Sequence, residues 1–163
     1  MGDVLVRGAT SDDMQEVADV LACPGVIRGT AQLPYTSLDS VKKRFADRDP
    51  GDRFLVAEVD GRVVGSLGLR PGKARMAHVG SIGMAVHDDF QGRGIGTALV
   101  EAAVDLADNW LNLKRLGLSV FTDNAPAIHL YKNFGFEVEG TLRAHVLREG
   151  EYVDTYAMAR IRL

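Results

Sequence analysis

The sequence predicts an α/β protein built on one mixed sheet, and three observations carry that expectation. Its 163 residues are 46% hydrophobic, enough apolar material to bury one core without metals or disulfides. Strand-like runs alternate with runs of helical period in the order β-α-α-β-β-β-α-β-α-β-β. Tight turns join some neighbouring strands and helices join others, so antiparallel and parallel pairs must coexist. A single domain over residues 1–163 follows, with about seven strands flanked by about four helices. No repeat, low-complexity tract or interdomain linker interrupts it.

Residues 4–9 read as the first strand. Thr10-Ser11-Asp12-Asp13 then supplies cap-type residues and first-turn acids ahead of Met14, Val17, Ala18 and Leu21 at helical spacing. Cys23-Pro24-Gly25 ends that helix, residues 26–35 read as an irregular stretch, and a polar helix covers about residues 37–47. After a breaker cluster, residues 54–59 and 62–69 flank Asp60-Gly61, the clearest hairpin signal in the chain. Pro71-Gly72 breaks its second strand. Residues 78–86 resume as a Gly-rich strand, where missing side chains permit a ligand to approach the backbone. From Gly94 to about Leu113, Ile95, Ala98, Leu99, Ala102, Leu106 and Trp110 recur at helical spacing, so a long helix follows that strand directly. Residues 115–122 form another strand, Asn124 caps a helix to about Asn133, and Gly135-Phe136 stops it. A final hairpin pairs residues 138–147 with 152–161 across Glu149-Gly150.

Composition narrows the function classes. The net charge of −3 arises from interspersed acids and bases, and no basic stripe points to nucleic acid as a partner. Cys23 is the only cysteine, which rules out a disulfide or a thiolate zinc cluster within one chain and fits a reducing cytoplasm. The opening residues show no basic region followed by an apolar one, and no later stretch has the length to cross a bilayer, so a soluble, unprocessed chain without a membrane partner is expected. No spacing among His78, His87, His129 and His145 suggests a metal site.

The most informative run is Gln91-Gly92-Arg93-Gly94-Ile95-Gly96-Thr97, placed between a strand and the start of a long helix. Glycines let consecutive backbone N–H groups converge in a tight loop, and the helix N-terminus adds partial positive charge, so the loop suits a pyrophosphate. A dinucleotide fold fits poorly, because Thr97 stands where the third glycine belongs and the loop follows a late strand. A Walker A loop is excluded, since no Gly-Lys-Ser/Thr occurs.

This run resembles the Q/R-x-x-G-x-G/A signature of the GNAT acetyltransferases, and the element order matches that family along essentially the whole chain. Residues 124–136, with Asn124, Ala127, Tyr131, Gly135 and Phe136 in the frame N-x-x-A-x-x-x-Y-x-x-x-G-F, look like the family's second coenzyme A motif. The resemblance implies a GNAT fold and acetyl-CoA as cosubstrate, with no metal. By matching position it implies that the amides of Gln91, Gly92, Arg93, Gly94, Ile95, Gly96 and Thr97 hold the pyrophosphate. Met84, Ala85 and Val86 would pair with the pantetheine arm as an added strand, one of their amides polarising the thioester carbonyl. Asn124 and Ala127 would lie along that arm, and Tyr131 would protonate the departing thiolate as general acid. Many relatives carry a carboxylate base on the strand before the loop; this chain has none there, which leaves His78 and Ser81, with water, as candidates.

The resemblance is greatest to bacterial enzymes that acetylate small amines, and within them to the branch acting on free L-amino acids such as phenylalanine and methionine. A small-molecule amine acceptor is therefore expected. Ile27, Thr30, Leu33 and Tyr35, with Tyr152 and Tyr156, pair apolar with hydroxyl groups and are the candidate acceptor pocket. A polyamine acceptor is a rival, but a polycation calls for acids and residues 26–37 contain none. Phosphinothricin-type and protein N-terminal acetyltransferases share the fold, and a non-catalytic acyl-CoA sensor is the alternative from another class, against which Tyr131 argues. Relatives are frequently dimers, so a homodimer through the last two strands stays open.

Overall fold

In the computed structural model, which describes residues 2–163, the chain runs β1 (Val4–Gly8), α1 (Met14–Leu21), α2 (Pro24–Gly29), α3 (Leu38–Ala46), β2 (Arg53–Val59), β3 (Arg62–Pro71), β4 (Val79–Val86), α4 (Ile95–Asp105), β5 (Arg115–Phe121), α5 (Ala125–Asn133), β6 (Glu137–Arg148) and β7 (Glu151–Ile161). The strands form one sheet in the order β1-β2-β3-β4-β5-β7-β6. Every neighbouring pair is antiparallel except β4 and β5, which are joined through α4 and run parallel. Asp60 and Gly61 both take positive φ, 50° and 80°, the turn geometry that matches the twist of a two-residue hairpin.

Side-chain alternation divides the sheet into two faces. On one face Leu55 and Ala57 of β2, Leu67 and Leu69 of β3 and Ile82 of β4 bury against Leu99, Val100 and Ala103 of α4, with Tyr131 and Phe136 joining the same core. On the other, Val56 and Val63 pack under Met14 and Val17 of α1 and Val41 of α3. A shift in the β2–β3 register between Ala57 and Glu58 leaves Val64 as the extra residue, so Val64 and Gly65, adjacent in sequence, both face α4 while Val63 packs on the opposite face.

Two elements differ from the sequence expectation. Five helices flank the sheet, because Pro24 begins α2: Cys23 is the extended N-cap and Pro24, lacking a donor, occupies the first turn. The stretch read as irregular is thus helical through Gly29. The long helix keeps α geometry only to Asp105 and closes through a π turn at Leu106–Trp110, which leaves Trp110 75% exposed. The remaining boundaries fall within a few residues of expectation. No helix among the described residues is long and apolar enough to cross a membrane.

Candidate active site

β4 and β5 pair only from Val79↔Arg115 to Ser81↔Gly117 and then diverge, opening the sheet between Ile82–Val86 side and the C-terminal half of β5. The β3 ladder decides what β4 offers to that opening. His87 N–H donates to Val64 C=O at 2.8 Å and Gly72 N–H to Val79 C=O at 2.7 Å, so odd-numbered residues of β4 direct their main-chain groups to β3. The main-chain groups of Ile82, Met84 and Val86 therefore face the opening. Ala85 does not contribute there: its backbone pairs with Ser66. Val86 C=O accepts from Gln91 Nε2 at 2.8 Å, which ties the glycine loop back to the strand. Met84 N–H, Met84 C=O and Val86 N–H are left without a strand partner among the described residues.

A cavity of about 690 Å³ occupies the opening and passes from one face of the sheet to the other. At its first end, Gly92 and Gly94 adopt φ of 71° and 81°, left-handed conformations that suit glycine and turn the loop into α4. No side chain caps α4, so the N–H groups of Ile95, Gly96 and Thr97 have no intrahelical acceptor and, with the helix dipole, present an anion site at the cavity wall. These features fit a diphosphate followed by an extended amide-bearing arm. Of the seven loop residues singled out in the sequence, only Arg93 misses the cavity lining; its guanidinium lies 5.3 Å from the Phe90 ring.

Asn124 and Ala127 line the cavity, and Asn124 Oδ1 caps α5 by accepting Ala127 N–H at 3.3 Å. Tyr131, one turn on, is 7% exposed and rests 5.7 Å from the Phe136 ring. Its hydroxyl has no hydrogen-bond partner among the described residues, yet it is not sealed in, because Tyr131 lines the cavity. Burial of the phenol pushes its pKa up from 10.0 to about 12, so the proton stays on oxygen at physiological pH.

The far end of the cavity lies on the α1/α3 face. Two successive rows of the β3–β4 ladder, Ser66↔Ala85 and Gly68↔Gly83, form its floor together with Arg70 of the next row, and Phe54 of β2 stands beside Gly68. A Cβ on Gly83 would meet nothing within 4 Å, and one on Gly68 only Phe54 at 3.9 Å, so the two glycines hollow the floor. Phe45 and Phe54 meet edge to face at 5.8 Å and give an aromatic wall. Arg44, Arg48, Arg53 and Arg70 surround it, and Asp52 is the one acid among the lining residues. The α2 helix stands over the mouth, held at one end by Gly25 N–H donating to Asp88 Oδ2 at 2.9 Å and at the other by Arg28 on Glu149 at 2.6 Å.

Of the expected acceptor residues only Thr30 lines this cavity, and its hydroxyl already donates to Val26 C=O at 2.6 Å. Ile27, His78, Ser81, Tyr152 and Tyr156 fall outside the lining. Leu33 and Tyr35 border a separate hollow of about 40 Å³, Tyr35 fully exposed, because the chain after α2 turns away from the sheet. Tyr152 is 73% exposed, and Tyr156 packs against the main core. Sequence reasoning missed Phe45, Phe54, Gly68, Gly83 and the arginines. The available signal was the pair of small-residue strands, Gly65-Ser66-Leu67-Gly68 and Gly80-Ser81-Ile82-Gly83, that the hairpin pattern sets side by side.

A sheet split beside a parallel strand, main-chain groups facing the split and an uncapped helix N-terminus at its end define an acyl-coenzyme A dependent transferase. The chain belongs to the GNAT acetyltransferase family, whose model, described as Acetyltransferase (GNAT) family, matches residues 21–136. It is an N-acetyltransferase. It is 42% identical to the L-amino acid N-acetyltransferase AaaT of Escherichia coli (strain K12), over 99% of this chain and 100% of that protein. Its fold matches a phosphinothricin acetyltransferase from Sinorhizobium meliloti in complex with AcCoA, with a TM-score of 0.86 at 21% identity over 97% of this chain and 88% of that one. It also matches the spermidine N-acetyltransferase from Vibrio cholerae in complex with CoA and spermine, with a TM-score of 0.87 at 23% identity over 97% and 95% of the two chains.

Proposed function

We propose that this enzyme transfers the acetyl group of acetyl-CoA to the amino group of a free L-amino acid by direct attack, with Tyr131 as general acid. The observation that carries the reading is the convergence, in one cavity, of the unpartnered Tyr131 hydroxyl, the free N–H groups of Met84 and Val86, and the hollow above Gly68 and Gly83. The uncapped α4 terminus and its loop would hold the diphosphate, and Met84 and Val86 would hold the arm as an added strand. One of their N–H groups would face the thioester carbonyl oxygen, a donor fixed before charge develops there. As the new N–C bond forms and the C–S bond breaks, sulfur takes the Tyr131 proton, the acceptor nitrogen releases one to water in the open cavity, and water returns one to the phenolate, so no net proton is gained or lost by Tyr131.

The amino-acid reading is supported by similarity to AaaT along the full chain and by the chemistry of the far end. An aromatic wall suits an apolar side chain, and four arginines beside one aspartate oppose a polycation. The test is release of coenzyme A thiol from acetyl-CoA with phenylalanine, methionine, spermidine, phosphinothricin and short peptides as acceptors. Turnover with a free amino acid well above the rest is expected. Preference for spermidine or for peptides would overturn the acceptor assignment, and cofactor binding without turnover of any amine would favour a sensor.

A further inference from the structure

We infer that Arg70 binds the carboxylate of the acceptor and thereby limits the enzyme to amines that carry an anion beside the amino group. This rests on the amino-acid reading above and names the residue that enforces it.

The four arginines at the far end of the cavity are not equivalent. Arg48 lies 3.9 Å from the Phe45 ring centre and donates to Phe45 C=O at 2.6 Å. Arg53 donates to Pro50 C=O at 3.2 Å and to Asp52 C=O at 3.1 Å. Arg44 reaches Gln32 Oε1 at 3.4 Å. Arg70 alone of the four has no hydrogen-bond or ion-pair partner among the described residues, although it lines the cavity. Its side chain is exposed at the open wall of the cavity, so a guanidinium with five donors stands free of any protein acceptor and is matched to a planar anion that arrives with the substrate.

Register places it correctly for that task. Arg70 pairs with Ser81, one row beyond Gly68↔Gly83 on the same face of the sheet, a separation of about 7 Å along the strand. The reacting nitrogen must come to the carbon of the thioester, beside the free main-chain groups of Met84. In an α-amino acid the carboxylate is on the carbon next to that nitrogen, so it must lie within the hollow above the two glycines. Arg70 is the long cationic side chain that borders this hollow from the floor, and no acid on β3 or β4 competes for it. The aromatic wall of Phe45 and Phe54 is left for the acceptor's side chain. A bidentate guanidinium–carboxylate pair would then fix the amine's approach as well as its affinity.

The experiment uses the intact enzyme, the amino acid it turns over best, and the amine obtained by removing that amino acid's carboxyl group. The wild type is expected to favour the amino acid in kcat/KM by about 10- to 100-fold, the range for hydrogen bonds to a charged group. Arg70→Ala should bring that ratio near one by raising the amino acid's KM, and Arg70→Lys should restore part of it. The KM for acetyl-CoA should not move, and the far-UV circular dichroism spectrum serves as the check on folding. If Arg70→Ala keeps the wild-type ratio while amino acids remain good acceptors, the Arg70 assignment falls and the amino-acid reading stands. If the wild type acetylates amines but no free amino acid, both fall.

Discussion

Replacing Tyr131 by phenylalanine separates chemistry from folding more cleanly than any other substitution in this enzyme. The hydroxyl makes no hydrogen bond among the described residues, so its loss leaves no orphaned partner, and the ring keeps its place against Phe136. The stability change is expected below about 0.5 kcal/mol, and Tm should shift by less than about 2 °C. Catalysis should respond very differently. A positioned general acid contributes roughly 10²- to 10⁴-fold, which corresponds to about 3–5 kcal/mol in the barrier. That loss should appear in kcat, with the KM for acetyl-CoA unchanged, because in the proposed role the phenol acts on sulfur only as the C–S bond breaks. The assay is thiol release under single-turnover conditions, which keeps product release from masking the chemical step. The pH profile adds a second check: with the pKa raised to about 12, the wild type should show no descending limb from this acid below pH 10. Retention by Tyr131→Phe of more than about a tenth of the wild-type rate would refute the argument, since sulfur would then draw its proton from elsewhere.

Two further outcomes follow from the structure. Gly83→Val should fold normally, since its Cβ meets nothing within 4 Å, but it fills the hollow proposed to receive the acceptor. Acceptor KM should rise about 10- to 100-fold, the equivalent of modest overpacking, while acetyl-CoA affinity measured by calorimetry stays within about twofold. At the other end of the sheet, Arg7 grips Asp13 through two hydrogen bonds of 2.9 Å, which with Thr10 N–H at 2.7 Å hold its pKa near 2 against an ordinary 3.8. A depressed acid pKa stabilises the fold above the unfolded value and loses that contribution as pH falls toward 2. Asp13→Asn should therefore lower stability by roughly 2 kcal/mol at pH 7, read from urea midpoints, and the gap should close as pH falls from 4 to 2. A gap independent of pH would show that the ion pair is not its source.

The parts of this molecule that local chemistry decides were legible in the sequence. Asp60-Gly61 names its own turn, Asn124 its own cap, and Gln91 to Thr97 a loop of converging amides, because in each case the groups that interact are neighbours along the chain. Pro24-Gly25 misled for the complementary reason. Read locally it stops a helix, whereas the contacts that hold α2 in place, Gly25 with Asp88 and Arg28 with Glu149, join residues 63 and 121 positions apart. The far end of the cavity, the proposed acceptor end, was hidden in the same way. Its floor exists only once β3 and β4 are set in register and the bulge has put Ser66, Gly68 and Arg70 on the α1/α3 face. Tyr35 and Tyr152 combine apolar and hydroxyl groups, yet both are exposed and outside the cavity, because a pocket is chosen by where strands pair and not by side-chain type.

This division has a functional counterpart. The proposed donor end of the cavity is made chiefly of main-chain N–H and C=O groups on β4, the glycine loop and the first turn of α4, so its requirements are conformational and most side-chain changes nearby leave them intact. The proposed acceptor end is made of side chains standing on two strands and a helix, Phe54, Arg70 and Phe45, with absences at Gly68 and Gly83. Single substitutions there alter charge or volume without disturbing the ladder that presents Met84 and Val86. A sheet of this design can therefore keep one acyl donor while exchanging one amine for another, and the charge carried by Arg70 is the substitution at which that exchange should be easiest to observe.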